Sequence, residues 1–169
     1  MEMFNNHTQV QIRTELGLST VSNVKTIDFL RSACVKYLDA NPTKLGGENA
    51  IVEIDESLFR YKQKYHRGRQ PTREMWVCGL IDISVNPKKI SLHLVEDRQS
   101  ETLLPIIVNV CRKDTIVHSD SWKSYNGIAR NLRFTHKTVN HSEHFVNPNN
   151  GVHTQNIECL WNSCKYYIK

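Results

Sequence analysis

Apolar residues recur at helical intervals over the first 40 positions and then change to strand-like runs, so the periodicity alone divides the chain. Val10, Ile12, Leu16 and Leu18 lead into Ser19-Thr20, a helix-start signal, after which Val21, Val24, Ile27, Phe29, Leu30, Cys34 and Leu38 line up at helical spacing. This pattern predicts a short helix, a glycine-containing turn and a second helix from about Ser19 to Leu38. It fits a DNA-reading helix-turn-helix and a plain αα-hairpin equally well. Asn41-Pro42 and Gly46-Gly47 break the pattern, so a helical segment is expected over 1–45 and a second domain over 46–169.

Beyond residue 50 the runs IVEIDESLF, MWVCGLIDIS and KISLHLVED are rich in β-branched and aromatic residues and are separated by polar or proline-containing turns. Three such runs in succession predict an antiparallel meander. A helix ETLLPIIVNVCR follows, opened by Ser100 and carrying Pro105, then a strand TIVHSD and a helix from Trp122 to about Leu132. A strand FTHKTV, a loop HSEHFVNPNNG and a last helix HTQNIECLWNSCKYYIK complete the order βββαβαβα. That is the order of a ribonuclease-H-like α/β domain with a mixed sheet, whose second half requires parallel strands and right-handed crossovers.

Charge adds a partner class. The 169 residues carry 22 Lys and Arg against 17 Asp and Glu, a net charge of +5, which favours a polyanion over an acidic small molecule. The segment RYKQKYHRGRQPTR interleaves Lys62, Lys64, Arg67 and Arg69 with Tyr61 and Tyr65, suiting either a solvated hairpin loop or a surface for phosphates and bases. On the second predicted helix, Lys25 and Arg31 are the candidate phosphate contacts. The five cysteines are odd in number and lack C-x-x-C spacing, so they are read as reduced and structural. No apolar stretch is long enough to cross a membrane, and residues 1–10 lack the apolar core of a secretory signal, so a soluble intracellular protein is expected.

Three acidic residues then suggest chemistry: Asp55 in the first strand, Asp120 ending the fourth, and Glu158 in the last helix. A lone carboxylate at a strand end is usually a solvated turn residue. In the expected sheet, however, the first strand is central and the fourth lies beside it, so Asp55 and Asp120 would face each other with Glu158 above them. Clustered hard oxygen ligands of this kind suit two Mg²⁺ or Mn²⁺ ions in phosphoryl transfer. Lys165 follows Glu158 by two helical turns and is a candidate phosphate contact, or else an ordinary lysine near a helix C-terminus. Strand alternation sets Glu53 on the Asp55 face and Glu56 on the other, making Glu53 the rival ligand. Trp122, Tyr125 and Trp161 are expected to pack rather than stack on DNA. His136, His141, His144 and His153 have no cysteine at zinc-site spacing and are read as supports for a loop beside the site or as substrate contacts. His153 and Asn156 are expected to orient Glu158 or to cap its helix.

The motifs VEIDESLF, WVCGLID, DRQSETLLPII, HSDSWKSYNGI, HKTVNHSEHFVNP and HTQNIECLWNSCK, with the basic segment ending in RGR, carry a family likeness. From about Gly46 to Lys165 the chain closely resembles the transposases of Merlin-type mobile elements and their bacterial insertion-sequence relatives of the ISXO type. The resemblance implies a ribonuclease-H-like domain in which Asp55, Asp120 and Glu158 bind metal and Lys165 contacts DNA. It further implies DNA strand cleavage and transfer at element ends, double-stranded DNA as partner, and at least a dimer when active. The location would be nuclear in a eukaryote and otherwise cytoplasmic, at the nucleoid. The chain stops four residues after Lys165, where the resembling transposases continue, so a C-terminal truncation is expected. A catalytically silent DNA-binding remnant, an RNA:DNA hybrid nuclease and a resolvase are the competing readings.

Overall fold

The computed structural model describes residues 8–59, 74–128, 130, 134–143, 145–148 and 150–167. They fall into two compact units divided after Pro42. The smaller holds α1 (Gln9–Glu15) and α2 (Thr20–Ala40). Thr8 caps α1 in a reciprocal box with Gln11, and Ser19 caps α2 by accepting the Ser22 N–H at 3.1 Å. Gly17 takes a φ of +61° in the turn between them, a left-handed conformation that glycine adopts at little cost. Two bonds hold the helices together: Arg13 Nη1 donates to Thr20 Oγ1 at 2.7 Å, and Asn23 Nδ2 donates to the Gln9 carbonyl at 3.1 Å.

The larger unit is built on one five-stranded sheet in the order β3-β2-β1-β4-β5. Its strands are β1 (Ile51–Phe59), β2 (Met75–Asp82), β3 (Lys89–Val95), β4 (Thr115–Asp120) and β5 (Phe134–Val139). The first three pair antiparallel, as the meander predicts, while β4 and β5 run parallel to β1. This is the ribonuclease-H-like mixed sheet expected from the element order. Leu45, expected in the helical segment over 1–45, is fully buried in the core of this unit and bridges to Cys111.

Alternation along the strands divides the unit into layers. Even-numbered positions of β1 and β2, such as Val52, Ile54 and Leu80, pack under α3 (Ser100–Val110) with Leu103 and Ile107. Odd-numbered positions, including Phe59, Val77 and Ile81, pack under α4 (Gln155–Tyr167) with Ile157 and Trp161. Asp97 secures the start of α3 by accepting the Gln99 N–H at 2.9 Å and the Thr102 hydroxyl at 2.7 Å. Pro105 lies inside this helix, as expected.

One element differs. The helix expected from Trp122 to about Leu132 is a short 3₁₀ helix over Lys123–Gly127, and residues 131–133 lie outside the described residues. Asn126-Gly127 disfavours a longer α-helix. At Gly127 the backbone also approaches α3 so closely that a Cβ would fall 2.4 Å from Leu104 Cδ1.

Candidate functional site

Asp55 and Asp120 come together through strand register. Val52 pairs with Val117 and Glu53 with His118 across the parallel β1–β4 ladder, so the next residues on the Glu53 face are Asp55 and Asp120. Helix α4 covers that face and runs along β1 in the same direction. Its Asn156 and Ile157 meet Glu53, its Trp161 meets Asp55, and Lys165 reaches the ring of Phe59. Glu158 is thereby held over the same end of the sheet, one turn from Trp161.

Glu53 anchors that helix. Its carboxylate is fully buried; Oε2 accepts the N–H groups of Asn156 and Ile157 at 3.0 and 3.1 Å, and Oε1 accepts the Asn156 side-chain amide at 2.6 Å. These are orphan donors in the first turn of α4, where an acidic acceptor also complements the helix dipole. The expected metal-ligand rival of Asp55 is thus occupied with helix docking. The expected partners of Glu158 are likewise redirected: Asn156 bonds Glu53, and His153 Nδ1 lies 3.4 Å from Glu53 Oε1. The residue beside Glu158 is His141, whose Nε2 is 3.6 Å from Glu158 Oε1 and 2.7 Å from Thr154 Oγ1.

Asp55 Oδ2 accepts the Trp161 indole N–H at 2.9 Å. Burial pushes the Asp55 carboxyl up to about 6; the indole and a backbone N–H oppose the rise, and the charges of Asp120 and Glu158 add to it. Asp55 therefore lies within reach of the charge of both other carboxylates. Asp120 Oδ1 accepts the Trp122 N–H at 3.0 Å. Among the described residues, no three His, Cys, Asp or Glu side chains stand close enough together to hold an ion as they are. Each of the three has turned to a protein partner instead: Trp161, Trp122 or His141. The donor set itself, oxygen-only and mutually repelling, suits a hard divalent cation.

On the opposite face, Glu56 sits beneath an arrangement that sequence reasoning missed. Its Oε2 accepts Arg98 Nε at 3.2 Å, and its Oε1 accepts the Tyr125 hydroxyl. The Arg98 guanidinium lies between two indole rings, 4.4 Å from the centroids of both Trp76 and Trp122. Burial raises the Glu56 carboxyl to about 7, helped by the Asp55 charge and resisted by Arg98. Nothing in the spacing of DRQS marks Arg98 for this role.

Behind Asp120, His118 is kept neutral. Burial first, then the neighbouring Lys137, His153 and His136, hold its pKa down at about 4. The Lys165 ammonium lies 5.7 Å from the Phe59 ring centroid, toward the far end of β1. Trp161 is buried, as expected, and so is Tyr125, whereas Trp122 is 43% exposed. Lys25 and Arg31 lie on α2 in the smaller unit, Arg31 with Asp28 at 3.8 Å. The basic candidates Lys62, Lys64, Arg67 and Arg69, and His144, lie outside the described residues.

Comparison with known proteins places these residues in a context. Residues 44–169 match the model of the ISXO2-like transposase domain. A Haemophilus influenzae protein described as an uncharacterized transposase-like protein is 35% identical over 81 residues, 48% of this chain and 63% of that protein. This chain therefore aligns with less than two thirds of that relative's length. Among solved structures, a simian T-cell lymphotropic virus intasome in complex with PP2A regulatory subunit B56 gamma aligns with 92% of this chain and 58% of its own at 14% identity, with a TM-score of 0.44.

Proposed function

Because the chain belongs to the ISXO2-like transposase domain family, we propose that it cleaves and rejoins DNA phosphodiesters as a metal-dependent transposase of the Asp-Asp-Glu type. In this reading Asp55, Asp120 and Glu158 are the metal ligands, and Lys165 holds a phosphate of the DNA. The observation that carries it is the presentation of Asp55 and Asp120 on one face of adjacent parallel strands, with α4 bringing Glu158 against that face. When bound, two Mg²⁺ or Mn²⁺ ions supply charge neutralisation at the scissile phosphate and activation of a water or a DNA 3′-hydroxyl.

The chain's own residues have separable tasks. Asp55 and Asp120 bring negative charge to a half-buried surface, and Glu158 extends it from the helix. Convergence of the three carboxylates on an ion would require Asp120 and Glu158 to leave Trp122 and His141. Glu53 keeps α4 in register with β1 while this happens. Double-stranded DNA is the proposed substrate, as element end and as target, and joining two ends calls for at least a dimer. Kinship to Merlin-type elements in particular, resting on the motifs quoted above, is part of the same proposal.

The test is nicking of supercoiled plasmid in Mg²⁺ or Mn²⁺ by the wild type and by Asp120→Asn, with DNA affinity measured alongside. Nicking should fall at least 100-fold in the variant while affinity stays within about 2-fold, because the ligand acts on chemistry rather than docking. Nicking that survives Asp120→Asn overturns the metal-ligand assignment. DNA binding without nicking in either metal favours a silent DNA-binding remnant.

A further inference from the structure

We infer that Trp161 is a positioning residue for Asp55: its indole N–H fixes the direction of the carboxylate and so the edge it would present to a divalent ion. The inference rests on the metal-binding reading of Asp55. Its own basis is geometric. Trp161 is 5% exposed, and its Nε1 donates to Asp55 Oδ2 at 2.9 Å.

The ring has one place to lie. Gly79 stands opposite Asp55 in the β1–β2 ladder, and a Cβ there would fall 2.4 and 2.6 Å from two carbons of the Trp161 ring. The indole therefore occupies the space of a missing side chain, directly beside the carboxylate it serves. Phe59 closes one side edge-on, with centroids 5.8 Å apart at an interplanar angle of 77°. A ring confined in this way cannot swing its N–H elsewhere, and a short Asp side chain bonded to it loses its freedom about χ2.

A buried indole N–H needs an acceptor, and many tryptophans satisfy theirs on a backbone carbonyl. Here the acceptor is an ionisable carboxylate on the active face of the sheet. A bond of this kind has the role of the outer partners that orient ligands at metal sites, where removal commonly costs 10-fold to 100-fold in affinity. Trp161→Phe keeps an aromatic ring over Gly79 but has no N–H to offer.

The test uses the full chain with ¹⁵N-labelled indoles, the Trp161 signal being assigned by its loss in Trp161→Phe. Titration with Mg²⁺ should shift the Trp161 Nε1–H resonance as its acceptor engages the ion, and Asp55→Asn should move the same resonance without metal. Calorimetry should show Mn²⁺ binding about 10-fold weaker in Trp161→Phe than in the wild type. Equal Mn²⁺ affinity in a folded Trp161→Phe overturns the inference, as does an indole signal unmoved by Mg²⁺ while calorimetry records binding. If Trp161→Phe fails to fold, Trp76→Phe and Trp122→Phe assign the other two indole signals, and the titration of the wild type decides alone. A wild type that takes up no Mn²⁺ overturns the metal reading of Asp55, and the inference falls with it.

Discussion

Asp55 is held in a place that opposes its own ionisation. Burial is the main cause, and the charges of Asp120 and Glu158 contribute, so the carboxyl reaches about 6 instead of its ordinary 3.8. The sign of the stability effect follows from linkage. A group whose pKa is raised by folding favours the folded state below its unfolded pKa, and that contribution is lost as pH rises through the folded value. Between about pH 4 and 6 Asp55 therefore becomes destabilising, and at pH 8 it is fully so. Asp55→Asn should be more stable than the wild type at pH 8 without divalent ions, by on the order of 2 kcal/mol, and should lose that advantage toward pH 4. Denaturant melts at the two pH values check this, and an equal difference at both would contradict it. The pairing of Asp55 and Glu53 on one face was legible from strand alternation. The duty of Glu53 was not, because its partner Asn156 lies 103 residues away and only the folded chain joins them.

At the scale of elements, the strands were readable because each buries apolar side chains with the two-residue period of a pleated sheet. The 3₁₀ helix after Trp122 was not. Most of the SWKSYNGI stretch is helix-compatible, and the close approach of Gly127 to Leu104 adds to the low helix propensity of Asn126-Gly127 in a way the sequence does not reveal. Gly79 offered a signal that went unused, since a glycine inside an apolar strand often marks a close approach. Gly79→Ala should destabilise the larger unit by about 1–3 kcal/mol, the usual cost of overpacking a filled site, because the new methyl would collide with Trp161. A thermal melt together with Trp fluorescence measures it. An unchanged melting temperature would mean that the ring over Gly79 is free to move.

For the molecule as a whole, family and fold were readable because the motifs keep their order along the chain, and the family match covers residues 44–169. Charge sets the remaining expectation. A net +5 on 169 residues suits a polyanionic partner, and α2 carries Lys25 and Arg31. If both contact phosphates, replacing them with alanine should weaken DNA binding and flatten the slope of log affinity against log salt by up to about 2. The Arg31–Asp28 pair reduces the share expected of Arg31. Fluorescence anisotropy over a salt series provides the slope, and one identical to the wild type removes both residues from the interface.

Helix α4 is pinned to β1 at two levels, by Glu53 at Asn156 and Ile157 and by Asp55 at Trp161. Sliding the helix by one residue, about 1.5 Å, would break both attachments together. Adjustment around a substrate is thus left to parts that are not pinned in this way: the rotamer of Glu158, with its side chain 45% exposed, and the turn that carries Asp120 and Trp122. The site resembles a vice with one fixed jaw. If the three carboxylates bind metal as proposed, tolerance for ions of different radius would depend on the travel of a single turn and a single side chain.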